Sequence, residues 1–129
     1  MSILYNRIGN TRNPFQGDHK KVLCVCSAGL LRSPTMAWVL SNEPYYYNTR
    51  AAGIEPEFGL ILVDEVLIYW ADEIVVAEQH HWDEIYKQFS GNLDFLTEKP
   101  KQILDLPDCY QRNDPELVEL IKERYNPDA

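Results

Sequence analysis

The chain has 129 residues, enough for one domain with an ordinary core, and its 45% hydrophobic and 12% aromatic content excludes a disordered chain. A formal net charge of −8 argues against non-specific binding to nucleic acid or to an anionic membrane surface. Three cysteines, an odd number without metal-ligand spacing, make neither a disulfide framework nor a zinc site.

Residues 1–19 are polar, broken by Gly9, Pro14 and Gly17, and read as an N-terminal extension without an apolar leader. Residues 20–129 read as a single domain, and no apolar run is long enough to span a bilayer. A soluble, cytoplasmic protein in a reducing compartment is expected.

Val22 to Val25 form an apolar run consistent with a buried strand, which stops at Cys26. Five residues later comes Arg32, and Ser33-Pro34 opens the amphipathic segment TMAWVLSN. Ser33 suits a helix cap and Pro34 the first helical position, where no amide hydrogen is needed, so a helix is expected from Pro34 to about Ser41. A strand running through a tight loop into a helix start presents unpaired amide N–H groups to an anion. A thiolate is stabilised in the same field, and a guanidinium closing the loop offers a planar fork matched to a phosphate dianion. Cys26 is therefore the candidate nucleophile and Arg32 the candidate phosphate clamp. Ser27, Ala28, Gly29, Leu30, Leu31 and Ser33 complete a candidate phosphate-binding loop.

Pro44 ends the first helix. Tyr45 to Ala52 reads as a second strand ending at Gly53, its tyrosines on alternating faces. Leu60, Val63, Leu67 and Trp70 recur at helical spacing and predict a helix over one sheet face. Glu73 to Glu78 is the third strand, and Trp82, Ile85, Tyr86 and Phe89 line one stripe of the following helix. His80 and His81 are adjacent, an arrangement that a helix splays apart, and no metal site is assigned to them. After a loop or short helix ending at Pro100, Gln102 to Leu106 is the fourth strand. Asp114-Pro115-Glu116 combines a cap, a first-position proline and an acidic first turn to start the last helix, which buries Leu117, Leu120, Ile121 and Tyr125. This alternation predicts an α/β fold, a doubly wound three-layer sandwich with a four-stranded parallel sheet. Ligands in such sheets sit beyond the carboxyl ends of the strands, an edge that here carries Cys26 and Leu106-Pro107-Asp108.

At these residues the chain resembles the low-molecular-weight protein tyrosine phosphatases, particularly a short bacterial branch. VCSAGLLRSPT resembles the family's Cys-x5-Arg-Ser-Pro loop, RAAG its Ser-Ala-Gly after the second strand, and ADEIVVAEQHH its third strand. LDLPDCYQRNDPELVEL resembles its general-acid segment, so the likeness runs from about residue 20 to residue 126. The resemblance implies a cofactor-free, metal-independent phosphatase. It would act on phosphotyrosine in a phosphorylated protein, or on another aryl phosphate, through a cysteinyl-phosphate on Cys26. It also implies that Ser33 donates to the Cys26 sulfur, a role that stands beside the helix-cap reading. Asp108 becomes general acid and then base, with Asp105, expected inside the fourth strand, as its competitor. Tyr110 matches an aromatic that flanks an aryl ring, or it packs on the last helix.

The chain departs from the family at several positions. Gly29 stands where the family usually has a loop-bracing Asn, and Leu31 stands where many members carry a second cysteine. Glu55 and Glu57 make an acidic rim, with Phe58 the only nearby ring. Cys24 reads as core, and Cys109 as a resolving thiol is a minor reading. Two alternatives remain open: a phosphate-loop binding module with little turnover, which has no need of Asp108, and an arsenate reductase. The latter needs two further cysteines on a mobile segment, and residues 53–100 contain none.

Overall fold

The computed structural model describes residues 10–11, 19–27, 31–55, 61–89, 91, 96 and 98–128. Strand β2 (Lys21–Cys26) feeds helix α1 (Arg32–Ser41), and β3 (Asn48–Gly53) leads to α2 (Glu65–Trp70). Strand β4 (Glu73–Val76) is followed by α3 (Gln79–Phe89), and β5 (Lys101–Ile103) by α4 (Pro115–Arg124). The parallel sheet has the order β3-β2-β4-β5, and a two-residue strand β1 (Asn10–Thr11) adds antiparallel to the outer edge of β3. The four parallel strands are those expected. The edge strand comes from the segment read as an extension, where two polar residues give no periodicity to detect.

Alternation along β2 sorts the core into two layers, as a strand buried on both faces requires. Val22, Cys24 and Cys26 pack with Met36 and Leu40 of α1 and Leu117 and Ile121 of α4. Leu23 and Val25 pack on the opposite face with Leu67 and Ile68 of α2 and Trp82 and Ile85 of α3. Two helices on each face make the doubly wound, three-layer arrangement.

Several boundaries differ from expectation for local reasons. Helix α1 begins at Arg32, with Leu31 at the N-cap and no side-chain cap, so Ser33 lies inside the first turn and is not the cap. Helix α2 begins only at Glu65, because the Asp64 carboxylate accepts from the Leu67 amide at 2.8 Å and caps it there. Upstream, Leu62 is still extended and bridges to Gly53. Strand β3 starts at Asn48, not at Tyr45. The rings of Tyr45 and Tyr47 instead meet Tyr125, with centroids 5.6 and 6.2 Å away. Strand β5 ends at Ile103, so Asp105 lies outside it, in a left-handed backbone conformation with φ 55° and its side chain exposed. Helix α4 starts as expected: Asp114 accepts from the Glu116 amide at 2.9 Å, and Pro115 opens the first turn.

At the amino-terminal edge of the sheet a buried carboxylate ties the layers together. Glu73 takes a hydrogen bond from Tyr125 at 2.7 Å, one from Gln102 at 3.0 Å and an ion pair from Lys20 at 3.1 Å. Among the described residues no buried side-chain nitrogen or oxygen lacks a hydrogen-bond partner.

Candidate active site

The strand order reverses at β2: the chain passes from β2 to β3 on one side, then crosses to β4 on the other. In a parallel sheet that reversal opens a crevice at the carboxyl edge. Cys26, the last residue of β2, stands at that edge, and the residues after it reach the segments that follow the next strands: Ser27 meets His81, and Arg32 meets Glu78 after β4 and Leu106 and Asp108 after β5.

Cys26 is buried, and its sulfur lies 3.2 Å from the Ser33 hydroxyl and 3.4 Å from the Ser33 amide. Ser33 Oγ is also 3.3 Å from the carbonyl oxygen of Ala52. One hydroxyl hydrogen has two possible destinations. With a thiol, the sulfur donates to Ser33 and Ser33 donates to Ala52. With a thiolate, the same hydroxyl can turn its hydrogen to sulfur, where a charge-assisted bond is stronger. None of the three cysteines is in a disulfide. Cys24, buried in β2 two residues upstream, has its thiol pushed well above the ordinary range, first by burial and then by Glu73.

Arg32 is only 2% exposed, so its charge must be met by the protein. Nη1 donates to Glu78 Oε2 and, at 2.9 Å, to the main-chain oxygen of Leu106. The opposite edge is held loosely: Nη2 is 3.5 Å from Ser27 Oγ, and Nε is 3.5 Å from Asp108 Oδ1. The guanidinium is thus anchored through one nitrogen and presents its Nε–Nη2 edge, the side-on fork for a two-oxygen anion. Asp108 is 64% exposed and reaches the site through that one contact. Asp105 is exposed, and its carbonyl accepts from Arg124. Of the two acids, Asp108 is the one with a described contact to Arg32.

His81 is fully buried, and its contact with the loop was missed by sequence reasoning, which saw only two adjacent histidines at the start of a helix. Its Nδ1 accepts from the Glu78 amide at 3.0 Å, and a main-chain N–H can only donate, so the ring proton sits on Nε2. Nε2 is 2.9 Å from Ser27 Oγ and donates to it. With Ser27 accepting from His81 and Arg32, its own O–H is left to give, and toward an anion Ser27 acts as a donor. Burial first, then the positive neighbours His80 and Arg32, push the His81 pKa down to about 4 against the pull of Glu78. Hydrogen bonding from Arg32 holds the Glu78 carboxylate below its usual range.

Far from being splayed apart, the rings of His80 and His81 lie 4.2 Å apart, and their ligand atoms approach that of Glu78. Both nitrogens of His81 are committed to protein partners, however, and a guanidinium touches Glu78. A cation there would find two ligands beside a positive charge, too few for a tetrahedral site.

Ala28, Gly29 and Leu30 of the candidate loop, with Glu57 and Phe58 of the candidate rim, lie outside the described residues. Leu31 is exposed, and the carbonyl of Ser27 is held by the amides of Ile54 and Glu55, both at 3.0 Å. Tyr110 is half-buried against the cluster that includes Leu117 and Ile121. Cys109 is exposed. No described helix is long and apolar enough to cross a membrane.

Three solved structures are similar to this one. Wzb of Vibrio vulnificus, in complex with benzylphosphonate, matches with a TM-score of 0.62 at 19% identity, covering 81% of this chain and 93% of its own. A YwlE mutant from Bacillus subtilis matches with a TM-score of 0.60 at 19% identity, covering 81% and 95%. The YwlE arginine phosphatase from Geobacillus stearothermophilus matches with a TM-score of 0.57 at 20% identity, covering 80% and 88%. Both proteins are low-molecular-weight protein tyrosine phosphatases. The chain shares their fold. No protein-family model matches the sequence, and no curated protein does.

Proposed function

We propose that the chain is a metal-independent phosphatase that hydrolyses phosphotyrosine or another aryl phosphate monoester through a cysteinyl-phosphate. The observation that carries this reading is Arg32, anchored through Nη1 with its Nε–Nη2 edge turned to Asp108 and Ser27, while the next residue, Ser33, meets the buried sulfur of Cys26. A thiolate, a fixed guanidinium fork and an exposed carboxyl on a separate loop are the three groups that phosphoryl transfer through sulfur requires.

In this mechanism the substrate dianion takes the Nε–Nη2 edge, displacing Asp108 from its 3.5 Å contact. The Cys26 thiolate attacks phosphorus, and the bond from phosphorus to the leaving oxygen breaks. Asp108, as the acid, gives that oxygen its proton. Asp108, now a carboxylate, takes a proton from water, whose oxygen attacks phosphorus. The sulfur–phosphorus bond then breaks, releasing inorganic phosphate and restoring the Cys26 thiolate. Ser33 holds the sulfur negative at the start and at the end.

The substrate class draws on the similar structures in two directions. Wzb was solved with benzylphosphonate, an aryl-bearing phosphonate, which supports an aryl ester. The arginine phosphatase supports phosphoarginine as a second reading, and an acidic chain of net charge −8 suits a guanidinium-bearing substrate. A binding module without turnover is the reading outside catalysis.

The test is hydrolysis of a chromogenic aryl phosphate and of free phosphoarginine with chelator present, for wild type and Cys26→Ser. Chelator-resistant turnover lost in Cys26→Ser is expected, with the aryl ester the better substrate. Turnover of phosphoarginine alone moves the substrate class. Wild type no faster than Cys26→Ser, in folded protein that binds phosphate, leaves the binding module.

A further inference from the structure

We propose that Glu78 and His81 form a two-armed brace that positions the phosphate loop, gripping its last residue from the turn that follows β4 and its first from the opening of α3. The inference rests on reading Cys26–Arg32 as a phosphate site. Glu78 holds Arg32 through Nη1, while His81 holds Ser27 at 2.9 Å. The arms are locked to each other, because the Glu78 amide donates to His81 Nδ1 at 3.0 Å and so fixes which ring nitrogen faces Ser27. The turn itself is tied to the sheet on both sides: the Ala77 amide donates to Val25 at 2.9 Å, and the Ala77 carbonyl accepts from Leu106 at 2.8 Å. The brace is thus built on paired strands, where a supporting group is held most rigidly.

Electrostatics alone predicts the opposite of what the geometry predicts for Glu78. A carboxylate beside an anion site repels a phosphate dianion, so on charge alone its removal tightens phosphate binding. Orientation acts the other way. Arg32 reaches the site on a flexible side chain, and without Glu78 only the Leu106 carbonyl anchors it at Nη1. The guanidinium can then pivot, and a two-oxygen anion loses one of its two parallel hydrogen bonds. The sign of the change decides between the accounts. Neither Glu78 nor His81 touches the reacting atoms in this scheme; both act through Arg32 and Ser27.

The experiment is calorimetric titration of the full chain with inorganic phosphate, each variant first checked for a cooperative thermal transition. Glu78→Ala and His81→Ala are expected to weaken phosphate binding by about tenfold or more. Glu78→Gln and His81→Gln should recover part of the loss, since one amide still accepts from Arg32 and the other still donates to Ser27. In a Ser27→Ala background, His81→Gln should cost nothing further. Unchanged or tighter binding in folded Glu78→Ala overturns the Arg32 arm. Additive losses in Ser27→Ala with His81→Gln overturn the His81 arm, and a wild type that binds no phosphate overturns both. Phosphate binding that depends on both arms, in a wild type without turnover, supports the brace while sinking the enzyme reading. Turnover with phosphate affinity unmoved across the variants does the reverse.

Discussion

Arg32 Nη1 donates to the main-chain oxygen of Leu106 at 2.9 Å, a bond between residues 74 apart in sequence. It joins the first turn of α1 to the segment leaving β5, and so sets the distance from the guanidinium to Asp108, two residues further on. The proposed clamp and the proposed acid are therefore positioned by one hydrogen bond, which also meets part of the buried charge.

That geometry separates the two candidate acids. Asp108→Asn removes the exposed acid that meets the Nε side of Arg32, and is expected to slow aryl phosphate turnover by about a hundredfold or more. Asp105→Asn, at an exposed position, should leave the rate within about a factor of two. Steady-state rates of the two variants side by side check this, and equal losses would remove the assignment of Asp108.

Ser33 is completely buried but caps nothing, so its hydroxyl is free of a helix-end duty. Ser33→Ala deletes a hydrogen bond to a thiolate worth about 1.5–3 kcal/mol, which corresponds to a drop in kcat of roughly ten- to a hundredfold. The neutral bond to Ala52 that is lost with it is worth only about 1 kcal/mol of stability. Rates and urea midpoints together test the split. A loss confined to stability would return Ser33 to a structural part.

The depressed pKa of His81 makes stability depend on pH in a definite direction. As pH falls through about 6.5 the unfolded chain takes up a proton on this histidine. The folded chain resists until about 4, because burial, His80 and Arg32 all oppose the charge and Glu78 only partly offsets them. The stability contribution is whole above about pH 6.5 and is lost as pH falls toward about 4, on the order of 3 kcal/mol in all. Glu78, whose carboxylate pKa is lowered, adds a loss of the same sign at more acidic pH. Urea unfolding at about pH 7.5 and about pH 4.5 should show a steeper decline for wild type than for His81→Gln. Parallel declines would show that His81 is not the group responsible.

At the other edge of the sheet, Tyr125→Phe keeps the ring contacts with Tyr45 and Tyr47 but removes the donor to buried Glu73. Glu73 retains Lys20 and Gln102, so a cost of about 1–3 kcal/mol is expected in urea unfolding. KM and kcat should not move, because Glu73 opens β4 at the end opposite the site.

Much of the fold could be read in the chain because its signals are local. The apolar runs at Val22–Val25 and Ile74–Val76, the spacing of Leu117 and Ile121, and the cap at Asp114 each act over a few residues. The candidate nucleophile and clamp were legible for the same reason, since Cys26, Arg32 and Ser33 lie on one strand–loop–helix unit. Where one local signal competed with another, the reading failed. Ser33-Pro34 has the composition of a helix start, but the helix begins earlier and the serine turns to sulfur and Ala52. The helical spacing at Val63 was overridden by the Asp64 cap and by the Leu62–Gly53 bridge, while Leu60 lies outside the described residues.

The sequence by itself determined the alternation of strands and helices, the two-layered core and the loop that pairs a cysteine with an arginine, because periodicity and capping are properties of neighbours in the chain. Only the tertiary structure decided which edge of Arg32 is presented, which aspartate faces it, and that Glu78 meets Arg32 while His81 meets Ser27. Those outcomes depend on strand order: β4 and β5 lie on the side of β2 opposite β3, and their trailing turns converge on the carboxyl end of β2. No spacing along the chain encodes that convergence, since it arises when the sheet closes around buried polar groups that must find partners.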